Sequence, residues 1–410
     1  MDNNTPAAGT VSALALKLSQ SRHYYWFLVA FLVCVSALGS FVNDMYSPAL
    51  PAMCRFFGCS VPVAQMGLTM GMIGLASGQM ILGPVSDRYG RKPVLAGSVI
   101  LFIIAAVAST FASDIHVFNL CRLFQGIGAS GGYFLARTIP ADIYTGRSLA
   151  RLMALIGAIN GIAPASAPVI GGVTADAYGW KGVFVVLAVF AALILLLSLN
   201  MKESLAKAKR DKGPLLKAFS GYGQLLHNRP FMTHTCLKGV ALGFLFAYIS
   251  SAPFILQTHY GLSQTVYGLV IGFNALFVAG GSMVALKFKP LKKAAVIGAL
   301  IMTVGVAAEA TALYSIHSFW IYEVFMIVIL FGLGLIFTTS NTLAMNEGRD
   351  HAGEASSLLG VAGYVVGAVV APLVGIDNVL HSTAIVYIVL TVGVALFAVM
   401  SRKLAPDLDK

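Results

Sequence analysis

The sequence predicts an all-α membrane protein with twelve transmembrane helices in two pseudo-symmetric six-helix bundles. Three observations predict it: the apolar composition, the spacing of the apolar stretches, and a repeat half a chain long. Hydrophobic residues fill 58% of the 410 positions and charged residues only 10%, with a mean hydropathy of +0.83. A soluble domain carries roughly 25% charged residues and cannot keep so apolar a surface in water. A lipid bilayer is therefore the first partner the chain requires.

In the first half the expected spans are 24–51, 62–84, 93–112, 116–141, 148–173 and 181–200. In the second they are 231–256, 265–286, 293–314, 318–344, 352–375 and 380–401. Each is long enough to cross about 30 Å of hydrocarbon as a helix, and none shows the sustained alternation of a barrel strand. This divides the chain into a tail (1–23), an N-terminal bundle (24–200), a polar linker (201–230), a C-terminal bundle (231–401) and a second tail (402–410). The start lacks the basic region, apolar run and small-residue cleavage site of a secretory signal, so no cleavage is expected. Ala167-Pro168-Val169-Ile170-Gly171 recurs half a chain later as Ala371-Pro372-Leu373-Val374-Gly375, and Pro48 near the end of the first span answers Pro253 near the end of the seventh. Two related bundles are implied.

Placing the amino terminus in the cytoplasm puts Arg88, Arg91, Lys92, Arg147, Arg151, Lys287, Lys289, Lys292, Lys293 and the basic linker on that side, leaving Arg55 and Lys181 opposite. Basic residues favour the cytoplasmic side, so both termini are expected there. The net charge of +11 is then a topology signal, and no basic soluble domain offers nucleic acid a surface. Metal-ligand spacings, nucleophile elbows and phosphate loops are missing from the sequence, so neither an enzyme nor a cofactor is expected. Cys54 and Cys59 stand near the first outward loop and are expected as free thiols, with pairing in an oxidising compartment as the alternative.

Between the second and third spans stands Gly83-Pro84-Val85-Ser86-Asp87-Arg88-Tyr89-Gly90-Arg91-Lys92-Pro93. This short turn combines small residues for close backbone approach with one acid and three cations. It resembles the signature loop of the major facilitator superfamily, and twelve spans in two halves agree with that fold. The resemblance implies a conformational latch: Asp87 caps the helix that starts near His351, and Arg88 or Arg91 pairs with Asp142. Such contacts exist only while the cytoplasmic side is shut. The plainer alternative is a basic loop that only sets topology.

The fourth span carries Arg122 and Arg137. A charge within a span is costly and needs a partner, water, or a route to the interface. Arg122 matches the arginine motif of proton-coupled facilitators, which implies a part in proton coupling; snorkelling to the outer interface is the alternative. Arg137 either borders the cavity or snorkels inward. Gly157, Gly161, Pro164, Pro168 and Gly171 in the fifth span resemble the antiporter motif of exporting facilitators, glycines supplying a close-packing face and prolines bending the helix.

Asn43-Asp44-Met45-Tyr46-Ser47-Pro48 closes the first span. With Tyr248-Ile249-Ser250-Ser251-Ala252-Pro253 and Ala355-Ser356-Ser357-Leu358-Leu359-Gly360, it is similar to the bicyclomycin and chloramphenicol resistance (Bcr/CflA) subgroup of drug/proton antiporters. Pro140 and Ala141 depart from it, standing where that subgroup often has another basic residue. Asp44 is the expected proton-coupling acid, because burial favours a neutral carboxyl and a nearby arginine favours the anion. An interfacial acid at the helix end is the alternative. Glu309 and Glu323 are expected near the outer interface and Lys238 near the inner one.

The resemblance thus implies a monomeric, multi-pass antiporter of the bacterial inner membrane that exports small amphipathic drugs at the expense of the proton gradient. Its cavity should lie between the halves, walled by the first, fourth, seventh and tenth spans. Candidate lining residues are Tyr46, Tyr133, Phe134, Arg137, Phe246, Tyr248, Asn274, Asn341 and Tyr364, aromatic walls suiting flat cargo. A metabolite symporter and a non-transporting receptor or scaffold are the competing functions.

Overall fold

The computed structural model describes residues 22–210, 220–315 and 318–404. The expected tail through residue 21, the middle of the linker, and residues from 405 on lie outside the described residues.

Among the described residues the chain is helical throughout. Helix α1 (Arg22–Asp44) ends in a 3₁₀ turn at Ser47–Ala49 and continues as the short α2 (Leu50–Phe57). Then come α3 (Val61–Tyr89), α4 (Arg91–Phe111), α5 (Ile115–Ile143) and α6 (Gly146–Leu199). Helix α6 is two helices broken at Gly179, whose φ of +69° suits only glycine. The second half holds the short α7 (Ser220–His227), α8 (Arg229–Pro253), α9 (Gln264–Ala285), α10 (Lys292–Ser315), α11 (Phe319–Glu347), α12 (Ala352–Leu373) and α13 (Val379–Leu404). Local chemistry sets several starts. Asp114 caps α5 by accepting from the His116 amide at 2.7 Å, and Asn228 caps α8 by accepting from Phe231 at 3.1 Å.

Ten of these helices are long and apolar enough to cross a membrane, which makes the chain a multi-pass membrane protein. Helix α5 is not among the ten, being diluted by its glycines and by Arg122 and Arg137. Large apolar side chains such as Ile104, Leu196, Leu269, Trp320 and Val389 face outward, as lipid demands and water would not allow.

Within the first half α3 packs on α5, α4 on α5 and α6, and α1 on α5 and α6. In the second half α8 packs on α11, α12 and α13, α9 on α11, and α10 on α11 and α13. The halves meet through α3 against α12 and α6 against α9. Glycine permits the closest of these crossings: a Cβ on Gly126 would strike the Gly71 carbonyl, and one on Gly268 the Pro168 carbonyl.

The two ends of the assembly differ. One end carries residues 22 and 404 and the linker; the other carries the turns near residues 58, 179, 260 and 376. At this second, far end, side-chain hydrogen bonds tie the halves together. Gln65 donates to the Ser250 carbonyl at 3.1 Å, Thr69 to Ala368 at 2.9 Å and Gln257 to Pro48 at 2.9 Å. Ser47 meets Tyr267 at 3.1 Å, and the Thr265 amide donates to Asp176 at 2.8 Å. Among the described residues no comparable bond joins the halves at the linker end. The hydrogen bonds that join the halves are thus concentrated at the far end.

Candidate transport site

Between the halves lies a cavity of about 700 Å³. Its walls come from α1, α5, α8 and α11, as expected, and also from α6, α9 and α12: Pro164 and Pro168 on α6, Ile271 and Ala275 on α9, Tyr364 on α12. It is continuous with a more polar vestibule of about 420 Å³ toward the linker end, since Tyr133, Leu242, Phe337 and Tyr364 line both. A larger groove of about 940 Å³ between α10 and α13 has no charged residue in its lining and faces lipid.

Asp44, the last residue of α1, is the one charged residue lining the 700 Å³ cavity, and it stands where the far end closes. Among the described residues its carboxyl group makes no ion pair. Arg122 is not beside it. The guanidinium of Arg122 is fully buried behind α1, donating to the Val42 carbonyl, to Asn43 Oδ1 at 3.0 Å and to Gln125 Oε1. It lies 4.2 Å over the centre of the Tyr46 ring. Snorkelling is thereby excluded, because α5 turns this face toward α1 and not toward lipid. Arg122 thus holds the two residues that precede Asp44.

Of the nine residues expected to line the cavity, Tyr133, Phe246, Tyr248 and Tyr364 do so, and Asn341 lines the vestibule. Four do not. Tyr46 is buried under Arg122, and Phe134 points toward Gly83 on α3. Asn274 is buried behind Tyr248, donating to its hydroxyl at 2.8 Å. Arg137 folds back over the Tyr133 ring and donates to its hydroxyl at 2.7 Å, at the edge of the vestibule.

The loop between α3 and α4 makes the expected ion pair with Asp142 but not the cap on α12, and because that pair lies within one half it does not require a shut linker end, contrary to expectation. Arg91 donates from Nε to Asp142 at 2.9 Å and from Nη1 to Asp87 and to Ser86, both at 2.6 Å. Arg88 lies over its neighbour Tyr89 and does not reach Asp142. Asp87 is half exposed, and its ionic partner is Arg91 in its own half, with no hydrogen bond to the start of α12 among the described residues. Gly90, with φ of +106°, turns the chain between the two helices. The linker adds residues that the sequence reading missed. Glu203 accepts from the Arg91 amide at 2.9 Å and the Lys92 amide at 3.3 Å, capping α4, and Ser204 donates to Asp142 at 2.9 Å. Their only signal was an acid and a hydroxyl in an otherwise basic stretch.

In the α6 motif, Pro164 and Pro168 border the cavity and Gly171 lets α6 close on the Met45 carbonyl. The surroundings of Gly157 and Gly161 lie outside the described residues. Glu309 and Glu323 are corrected: both are buried in the C-terminal half, and none of their four carboxyl oxygens has a hydrogen-bond partner among the described residues. Tyr322 and Tyr387 wall them in where interfacial water was expected. Cys54 and Cys59 are free thiols.

Two helical halves around a cavity with one acid form the frame of a membrane transporter, and comparison with known proteins says which kind. The Major Facilitator Superfamily profile matches residues 29–372, and the chain belongs to that superfamily of transporters. It is similar to YdgK of Bacillus subtilis (strain 168), an uncharacterised MFS-type transporter, at 33% identity over 387 residues, 92% of this chain and 96% of the relative. It also resembles the multidrug resistance protein MdtL of Shigella dysenteriae serotype 1, at 28% identity over 342 residues, 81% of this chain and 85% of MdtL. Among solved structures, a bacterial homologue of the human lysosomal transporter Spinster has a TM-score of 0.76 at 15% identity, covering 93% of this chain and 98% of that one. The xylose transporter XylE from E. coli has a TM-score of 0.74 at 15% identity, covering 95% and 99%. These two establish the fold alone.

Proposed function

We propose that this chain is a proton-coupled antiporter of the bicyclomycin and chloramphenicol resistance (Bcr/CflA) subgroup that exports small amphipathic molecules across a bacterial inner membrane. In this reading it works as a monomer of twelve spans in two six-span bundles, with both termini and the linker end cytoplasmic. The twelve are α1, α3, α4, α5, the two arms of α6, and α8 to α13. The observation that carries the reading is Asp44, a lone carboxyl group at the closed end of an aromatic cavity between the halves. Similarity to a multidrug resistance protein supports export as the direction.

Cargo enters through the vestibule and settles against Tyr133, Phe246, Tyr248 and Tyr364. Cargo and proton occupy the site in alternation: the far end parts with cargo aboard, and proton uptake by Asp44 from outside accompanies its release. Arg122 acts through Asn43 and Val42, holding Asp44 toward the cavity. As the linker end shuts, Asp87 leaves Arg91 for the start of α12, with Gly83 and Gly90 allowing the approach while Arg91 stays on Asp142. Gly157, Gly161, Pro164, Pro168 and Gly171 give α6 the surface on which this rocking occurs. One proton crossing 100 mV supplies about 2.3 kcal/mol, enough for roughly 50-fold accumulation.

The test is Asp44→Asn in everted membrane vesicles. Drug uptake driven by a pH gradient is expected to disappear while the protein remains in the membrane in normal amount. Coupled uptake at the wild-type rate would overturn the assignment.

A further inference from the structure

Two cations face the path into the cavity, and neither has an acidic partner. Lys238 of α8 lines the vestibule and donates from Nζ to Asn341 of α11 at 2.6 Å. Arg137 of α5 lies alongside, its guanidinium 4.4 Å over the Tyr133 ring and hydrogen-bonded to that hydroxyl at 2.7 Å. The two are near enough to act on each other electrostatically, and Arg137 also acts on Tyr364. The ion pairs among the described residues use Arg91 and Arg210, not these two cations.

Interfacial snorkelling does not account for Arg137. Helix α5 runs from the far end to the linker end, so Tyr133 lies one turn deeper in the membrane than Arg137. The guanidinium therefore turns inward, away from the linker-end interface that a snorkelling arginine seeks. Lys238 is likewise pinned sideways to Asn341 and not extended past the start of α8. Like charges held on facing walls of the vestibule repel, and a bound anion removes that cost.

We propose that Lys238 and Arg137, with Tyr133 and Asn341, form a subsite for an anionic group, so that the cargo is an amphipathic acid bearing a carboxylate or a similar oxyanion. The guanidinium supplies parallel N–H donors and the ammonium a point charge, the usual pairing for an oxyanion. The apolar body of the cargo then extends into the aromatic cavity toward Asp44. The placement also links cargo to motion. Arg137 belongs to the first half and Lys238 to the second, so shutting the linker end drives the two cations together. An empty transporter resists that step, and an anion held between them permits it.

This inference rests on the cavity being the transport site, and its test is independent of proton coupling. Dansyl-phenylalanine and its methyl ester share rings and shape but differ in the carboxylate. With purified protein in nanodiscs and no gradient, fluorescence anisotropy should show the acid bound at least about tenfold more tightly than the ester, the scale of hydrogen bonds to a charged group. Lys238→Gln and Arg137→Gln should each reduce that ratio severalfold, whereas Lys238→Arg should keep it. The ratio is internal to each variant, so a loss of folded protein does not imitate the effect. Equal binding of acid and ester, failure of the acid to bind, or a ratio unchanged in both glutamine variants would overturn the proposal. Asp44-dependent efflux of neutral drugs alongside such a result would leave the antiporter reading standing.

Discussion

The two halves bury opposite charges and treat them differently. In the N-terminal half Arg122 is fully enclosed, yet it donates to the Val42 carbonyl, Asn43 and Gln125 and lies on the Tyr46 ring. In the C-terminal half Glu309 and Glu323 are enclosed by tyrosines, with no hydrogen-bond partner on any carboxyl oxygen among the described residues. A buried ion is tolerated when its donors are occupied, and an isolated carboxylate costs far more than a neutral acid in the same place. The N-terminal cluster therefore works as a rigid frame for the end of α1. In the C-terminal cluster the hydrogen bonds among the described residues run between neutral groups, Asn274 to Tyr248 and Ser251 with Tyr387, and not to the carboxyl groups.

The largest expected effect is that of Arg122→Met. It strands three acceptors inside the first half and should cost about 3 kcal/mol or more, seen as a lowered unfolding temperature and a reduced folded yield in detergent. A variant that melts like the wild type would erase the contrast between the halves. Asn274→Leu should come next, at about 1 to 2 kcal/mol, because the Tyr248 hydroxyl loses its donor within the second half. The smallest effects should come from Glu309→Gln and Glu323→Gln, each within about 1 kcal/mol in the same melt, since a neutral isostere takes the place of a carboxyl group that makes no ion pair among the described residues. A loss from either as large as that of Arg122→Met would mean the carboxyl is held, and the two halves would then be alike.

The spans and their helical character were legible because a bilayer leaves the backbone few choices and writes them as long apolar runs. Asp44 was legible for a related reason, as a lone acid beside a proline where α1 ends. Sequence reports depth along a helix far better than the direction a side chain takes around it. Arg122 stands two turns from the start of α5, a depth compatible with the interface, but its face of the helix meets α1 and is sealed. Glu309 and Glu323 stand near span ends, yet packing between helices buries them, with Tyr387 of α13 contributed from far along the chain. Tyr46 and Asn274 have the right residue types for a cavity and lie one layer behind it. Glu203 was hidden by its surroundings, because capping α4 depends on a fold of the linker that local pattern does not encode.

The far-end seam has an evolutionary consequence. Gln65, Thr69 and Gln257 all donate to main-chain carbonyls of the opposite half, which every residue type provides. At these three contacts the accepting helices can drift in sequence without losing the bond, whereas Ser47 with Tyr267 and Thr265 with Asp176 need particular side chains on both sides. Under the proposed function, substitutions at those three donors, remote from the vestibule, change how firmly the far end is held shut.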